Sequence, residues 1–194
     1  MEVMQQRCVL CKCKTLQTYP YCRICLMTKC RLKVATSTIA NAGDGLFAIT
    51  EIAQGTVLLP YTGEKSHLQD HGANALLPYA IRVPNTNTIV DAARKRCAAS
   101  KANTQVHDSH LCNAAFRMLR NDEVENWTQA KELQSTEFIG VPWLVTTQTV
   151  PAQSEIFTSY GTDEHESMNS CTSSTCHSPS KIVQQHCYTQ QMLL

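Results

Sequence analysis

The stretch Ser37-Thr38-Ile39-Ala40-Asn41-Ala42-Gly43-Asp44-Gly45-Leu46-Phe47-Ala48 constrains this chain more than any other. Two glycines one residue apart follow small polar residues and lead into an apolar run, the pattern of a tight turn feeding a strand. Glycine reaches positive φ without penalty and lets a ligand lie against bare backbone. A plain hairpin uses the same pattern, so the turn alone leaves both readings open. Glu51-Ile52-Ala53-Gln54-Gly55-Thr56-Val57-Leu58 repeats the turn-plus-strand form and ends in Tyr61-Thr62-Gly63-Glu64.

The rest of the middle of the chain reads as short strands. Pro78–Val83 alternates like a half-buried strand until Pro84, Asn85-Thr86-Asn87 is a turn by composition, and Thr88–Ala92 is the returning strand. Val141–Thr147 and Ile156–Gly161 are further strands, the second entered through the turn Pro151–Glu155. Lys65–Leu77 has room for a short helix, and so does Val124–Leu133 within the charged stretch Leu119–Phe138. The expectation is a mainly β domain with few short helices.

Composition bounds the setting. At 194 residues, 43% hydrophobic and a net charge of +1, one domain with appendages and a core of ordinary size is expected. No apolar run approaches the roughly 20 residues of a membrane span, and no signal-peptide core is visible, so the expected setting is intracellular, nucleus or cytoplasm. Six of the 11 cysteines fall between Cys8 and Cys30, where a reducing compartment favours metal over disulfides. Cys8-x-x-Cys11 and Cys22-x-x-Cys25 are two knuckles that can share one tetrahedral Zn2+. Cys13 and Cys30 leave the ligand set open, and a group of reduced, half-buried cysteines is the alternative. Arg7, Lys12, Lys14, Arg23, Lys29, Arg31 and Lys33 stand against Glu2 alone, which suits either a solvated face or a weak contact with nucleic acid or an acidic partner.

Taken together, Ser37–Ala48, Gly55 with Tyr61-x-Gly63-Glu64, and the closing Ile156-Phe157-Thr158-Ser159-Tyr160-Gly161 resemble a SET domain, the lysine methyltransferase fold, over residues 34–161. The resemblance implies short twisted sheets and an S-adenosyl-L-methionine site at Gly43, Asp44, Gly45, Leu46 and Phe47. It adds Asn103 and Thr104, at the family's Asn-His position, and Tyr160. Ser100 and Thr104 stand where the family carries arginine and histidine, and Asn113–Phe116 match its following strand. Tyr160 is the family-positioned catalytic hydroxyl, and Tyr61 is a second candidate lining the same channel. The implied organisation is a Cys-rich zinc-knuckle unit at 1–33, a SET domain at 34–161 and a Ser/Thr/His-rich tail at 162–194. The tail holds Cys171, Cys176 and Cys187, whose spacing does not fit the family's closing zinc segment. The implied activity is methyl transfer to a lysine amine of a histone or another protein. The alternative is a SET-fold interaction module without catalysis, acting through its basic zinc-binding N-terminus.

Overall fold

A computed structural model describes residues 6–15, 17–71, 77–104, 111–120 and 138–159. The elements are ten short strands and one α-helix: β1 (Gln6–Arg7), β2 (Lys14–Thr15), α1 (Arg23–Lys29), β3 (Leu32–Thr36), β4 (Asp44–Ala48), β5 (Val57–Pro60), β6 (Glu64–His67), β7 (Ala80–Arg82), β8 (Thr88–Asp91), β9 (Ala114–Met118) and β10 (Pro142–Thr146). They form four small antiparallel sheets, ordered β1-β2, β3-β4, β5-β10-β9 and β6-β8-β7. The mainly β expectation is met. The expected helix after Glu64 is instead β6 followed by a single 3-10 turn over Leu68–Asp70. Pairing with β8, from Glu64 opposite Asp91 to His67 opposite Thr88, overrides the weak local preference. The expected helix at Val124–Leu133 lies outside the described residues.

β10 sits between β5 and β9 and is buried at all five positions, as its unbroken Pro-Trp-Leu-Val run requires. Thr146, the polar residue of that run, donates its hydroxyl to the Ala53 carbonyl at 2.7 Å and accepts from the Thr56 N–H at 2.9 Å. The core gathers Trp143, Leu144, Leu59, Leu46, Val90 and Ile156 with Cys8, Tyr21 and Leu26 of the Cys-rich segment. A bridge from Tyr19 to Cys97 and a 3.0 Å bond from the Ala98 N–H to the Tyr19 carbonyl fasten that segment to the rest.

The last described segment cross-ties the fold. Glu155 bridges Phe47, Phe157 bridges Asn103, and Thr158 bridges Ala114. The Ile156 N–H donates to the Leu46 carbonyl at 2.7 Å, and the Thr158 N–H to the Asn103 carbonyl at 2.9 Å. Residues far apart in sequence therefore meet along one short stretch of chain.

Candidate functional site

The Ser37–Gly45 loop closes the β3–β4 hairpin, with Thr36 opposite Asp44 in register and the Ser37 N–H bonded to the Gly43 carbonyl at 2.8 Å. Asn41 and Gly43 take left-handed backbone, at φ 62° and 72°, which asparagine tolerates and glycine favours. The two glycines do different work. A Cβ on Gly43 would meet nothing within 4 Å, so its bare backbone faces open space. A Cβ on Gly45 would overlap the Glu155 carboxylate, so this glycine is required by the protein's own interior. Leu46 and Phe47 are buried. Asp44 is exposed and pairs with Lys101 at 2.9 Å.

Asn103 faces this hairpin across 59 positions of sequence. Its side-chain amide donates to the Asp44 carbonyl at 3.1 Å and to Glu155 Oε1 at 3.1 Å. Thr104 beside it is half-buried. The sequence resemblance assigned these positions to one ligand pocket, and the fold brings the Asn103 segment to the glycine turn. Ser100 turns its hydroxyl back to the Cys97 carbonyl at 2.7 Å.

Glu155 is the residue that sequence reasoning passed over, placing it in a turn. It is 4% exposed and has no cation partner among the described residues; protein donors surround it. Oε1 accepts from the Ser37 hydroxyl at 2.7 Å and from Asn103, while Oε2 accepts from the Thr38 N–H at 2.7 Å and the Thr38 hydroxyl at 2.6 Å. Asn113 holds the same segment by its backbone, donating to the Glu155 carbonyl and accepting from the Phe157 N–H, each at 3.0 Å. The available signal was an acidic residue beside an apolar closing strand, matched by Ser-Thr ahead of the glycines. Gln153 adopts φ 63°, the left-handed turn conformation that a glycine would favour.

Tyr61 is 3% exposed. Its hydroxyl donates to the Tyr79 carbonyl at 2.6 Å, and its ring meets Phe116 edge-on at 5.2 Å. Arg96 lies over the Tyr79 ring at 3.6 Å from its centre. Tyr160 lies outside the described residues, as do the tail cysteines.

The N-terminal unit brings Cys8, Cys11, Cys22 and Cys25 together, their sulfurs all within 4.8 Å of one another. A tetrahedral ion at Zn–S distances near 2.3 Å needs sulfurs about 3.8 Å apart, so the set could hold a metal ion with small adjustments. The first knuckle is the β1–β2 turn, where Lys12 takes φ 60° and donates its N–H to the Cys8 carbonyl at 3.0 Å. The second is the start of α1, where Cys22 caps the helix by accepting from the Cys25 N–H at 3.4 Å. Cys13 falls outside the set of four, although its sulfur is 3.1 Å from that of Cys11. The sulfurs share protons unequally. Hydrogen bonding with the backbone and side chain of Cys13 lowers Cys11, and the same side-chain contact pushes Cys13 up to about 12. Burial pushes Cys22 up, but hydrogen bonds from the Cys25 N–H and the neighbouring thiols outweigh it and the net shift is down. Burial, then the bond to Cys22, pushes Cys25 well up.

No family model and no curated protein matches the sequence. Among solved structures the chain is similar to the methyltransferase domain of human PR domain-containing protein 2, at 13% identity and a TM-score of 0.49, covering 76% of this chain and 90% of that one. It is also similar to the polycomb repressive complex 2 of Chaetomium thermophilum, at 18% identity and a TM-score of 0.49, and to that complex in an autoinhibited conformation bound to S-adenosylmethionine, at 18% and 0.48. Those two matches cover 68% and 67% of this chain but only 15% of the other. At these identities the likeness is one of fold alone.

Proposed function

We propose that this chain is an S-adenosylmethionine-dependent protein-lysine methyltransferase of the SET type, with a zinc ion held by Cys8, Cys11, Cys22 and Cys25. The observation that carries the reading is the meeting of the glycine turn with Asn103 through the Asp44 carbonyl, beside the cross-tying segment that precedes Tyr160 in sequence. The residues present suit the cofactor. Open space beside Gly43 leaves bare backbone for a ligand, and the Asn103 segment, with half-buried Thr104, is bonded to the same turn through the Asp44 carbonyl. S-adenosylmethionine supplies an electrophilic methyl group on a sulfonium.

The protein needs no nucleophile of its own for this transfer. A substrate lysine must be neutral to attack, and an amine of pKa near 10.4 becomes so more readily when it is desolvated. Aligning nitrogen, carbon and sulfur then does much of the work. Tyr61 has committed its proton to Tyr79, so toward an amine N–H its oxygen acts as acceptor. Tyr160 is assigned the hydroxyl nearest the methyl. The metal site also suits its surroundings. Arg7 and Lys14 stand directly opposite each other on the β1–β2 ribbon, a like-charge pairing that costs stability by itself. A divalent cation with four thiolates is a net dianion and offsets that repulsion.

The non-catalytic reading is favoured by one observation. Ser100 stands where the family has arginine, and it spends its hydroxyl on the Cys97 carbonyl. The deciding experiment is calorimetry with S-adenosylmethionine, followed by a radiolabelled methyl-transfer assay on histones and a cell extract. Tyr160→Phe is expected to lower turnover by about ten-fold or more while cofactor affinity stays within a few-fold, the signature of a contact made only in the transition state. Binding without transfer to any protein would hand the case to the interaction module. An equally active variant would remove Tyr160 from the chemistry.

A further inference from the structure

We propose that Glu155 is the positioning residue of the cofactor pocket, a role that rests on the methyltransferase reading above. An ionised carboxylate offers about four lone-pair sites, and here four protein donors occupy them: the Ser37 hydroxyl, the Thr38 N–H, the Thr38 hydroxyl and the Asn103 amide. No acceptor position is left for a ligand, so Glu155 does not act by touching cofactor or substrate. It acts on what does. Ser37 and Thr38 lead into the glycine turn, and Asn103 is the opposite wall, so both walls hang on a single carboxylate. The same side chain explains why residue 45 is glycine, since any Cβ there would displace it.

Glu155 also belongs to the segment that runs on to Tyr160. Its backbone is held by Asn113 and its neighbour Ile156 by Leu46. The carboxylate therefore sets the spacing of three things at once: the turn, the Asn103 segment and the start of the closing segment at Ile156. Hydrogen bonds to charged groups are stronger than neutral ones, and burial makes their loss costlier still. Glu155 fixes how the Asn103 segment meets the glycine turn more than it holds the fold, because Asn113 ties the closing segment to the body of the protein independently.

That division of labour gives the test. Glu155→Gln keeps the side chain's shape but turns accepting positions into donors, which then face the donors of Thr38 or Asn103. Asn113→Ala loosens the same segment without touching the glycine turn. Calorimetry with S-adenosylmethionine on the full chain, with thermal melts of each protein, is the measurement. Affinity is expected to fall by about ten-fold or more in Glu155→Gln, and to stay within about three-fold in Asn113→Ala, although both lower the melting temperature. Equal affinities in wild type and Glu155→Gln would overturn the assignment, as would Asn113→Ala losing as much as Glu155→Gln. Wild type without affinity would instead remove the methyltransferase reading, and this inference with it. Should Glu155→Gln fail to fold, Thr38→Val removes a single donor and is expected to weaken binding about three-fold or more; unchanged affinity there is equally fatal.

Discussion

The four-sulfur cluster and the Glu155 clamp both tie chain segments together through polar groups, yet they are built in opposite ways. The cluster draws on cysteines between positions 8 and 25 and leaves Cys11 exposed. The clamp joins residues more than a hundred positions apart, Ser37 and Thr38 to Glu155, in the interior. The cluster collects anionic ligands and needs a cation to offset them. The clamp collects neutral donors around one anion and is complete without help. A chelator therefore attacks the first and not the second, whereas the loss of a single neutral hydroxyl or amide weakens the second.

The largest effect is expected from removing the metal. Structural zinc sites bind with apparent free energies of about 10–16 kcal/mol in small fingers, so their loss unfolds what they organise. Cys22→Ser should lower zinc from about one equivalent to below half, since a closed site needs all four ligands. Hydrogen exchange is expected to quicken across the β1–β2 ribbon and α1 while β9 and β10 stay protected. Loss of protection in β10 as well would mean that the two ties are not independent. Zinc kept after Cys22→Ser but lost after Cys13→Ser would shift the ligand set to the neighbouring sulfur.

A middle effect concerns Cys97, which is bridged to Tyr19 and so lies where the two regions join. Burial pushes this thiol up, against the lowering influence of hydrogen bonds from Thr62 and Ser100. A raised folded-state value means that the neutral thiol contributes stability that is fully present below the ordinary thiol range, about 8.5. That contribution is lost as pH rises through the folded value. Melts of wild type and Cys97→Ala from neutral to alkaline pH should converge above about pH 9. A constant gap would show that the sulfur acts through packing alone.

How much of this was legible depended on distance along the chain. The knuckles, the glycine turn, β4, the Asn85 turn and β8 could each be read from a few consecutive residues. The α1 helix was not anticipated, because its seven residues are stabilised by the Cys22 cap and by burial of Leu26 more than by a periodic pattern. β6 was misjudged because its pairing with β8 is set by a partner more than twenty positions on. Glu155 stayed hidden for a plainer reason. Its four donors come from two distant stretches of chain, Ser37-Thr38 and Asn103, and nothing local marks an acid as buried. Asn103 and Asn113 were placed by resemblance, whereas their bonds to the closing segment emerged only from the fold.

The smallest effect is a control on the clamp. Asp44 and Lys101 link the same two segments at 2.9 Å, but the aspartate side chain is 44% exposed and the lysine 12%. Pairs so open to solvent contribute at most about 1 kcal/mol and are screened by salt. Asp44→Asn should cost less than that in a denaturant titration, with the difference shrinking in high salt. A larger loss would mean that the outer link carries strength assigned here to Glu155.

The cross-tie also dictates a timetable for biosynthesis. Asn103 must wait for residues 155–158 before its pocket wall is fixed, and the glycine turn waits longer still. At about 5–20 residues per second, some fifty residues take roughly 3–10 s to emerge. During that interval the β3–β4 hairpin has a partner strand but no clamp, and the Gly45 backbone has nothing packed against it. A nascent chain stalled short of Glu155 would carry nearly all of its sheets and still be unable to make a pocket.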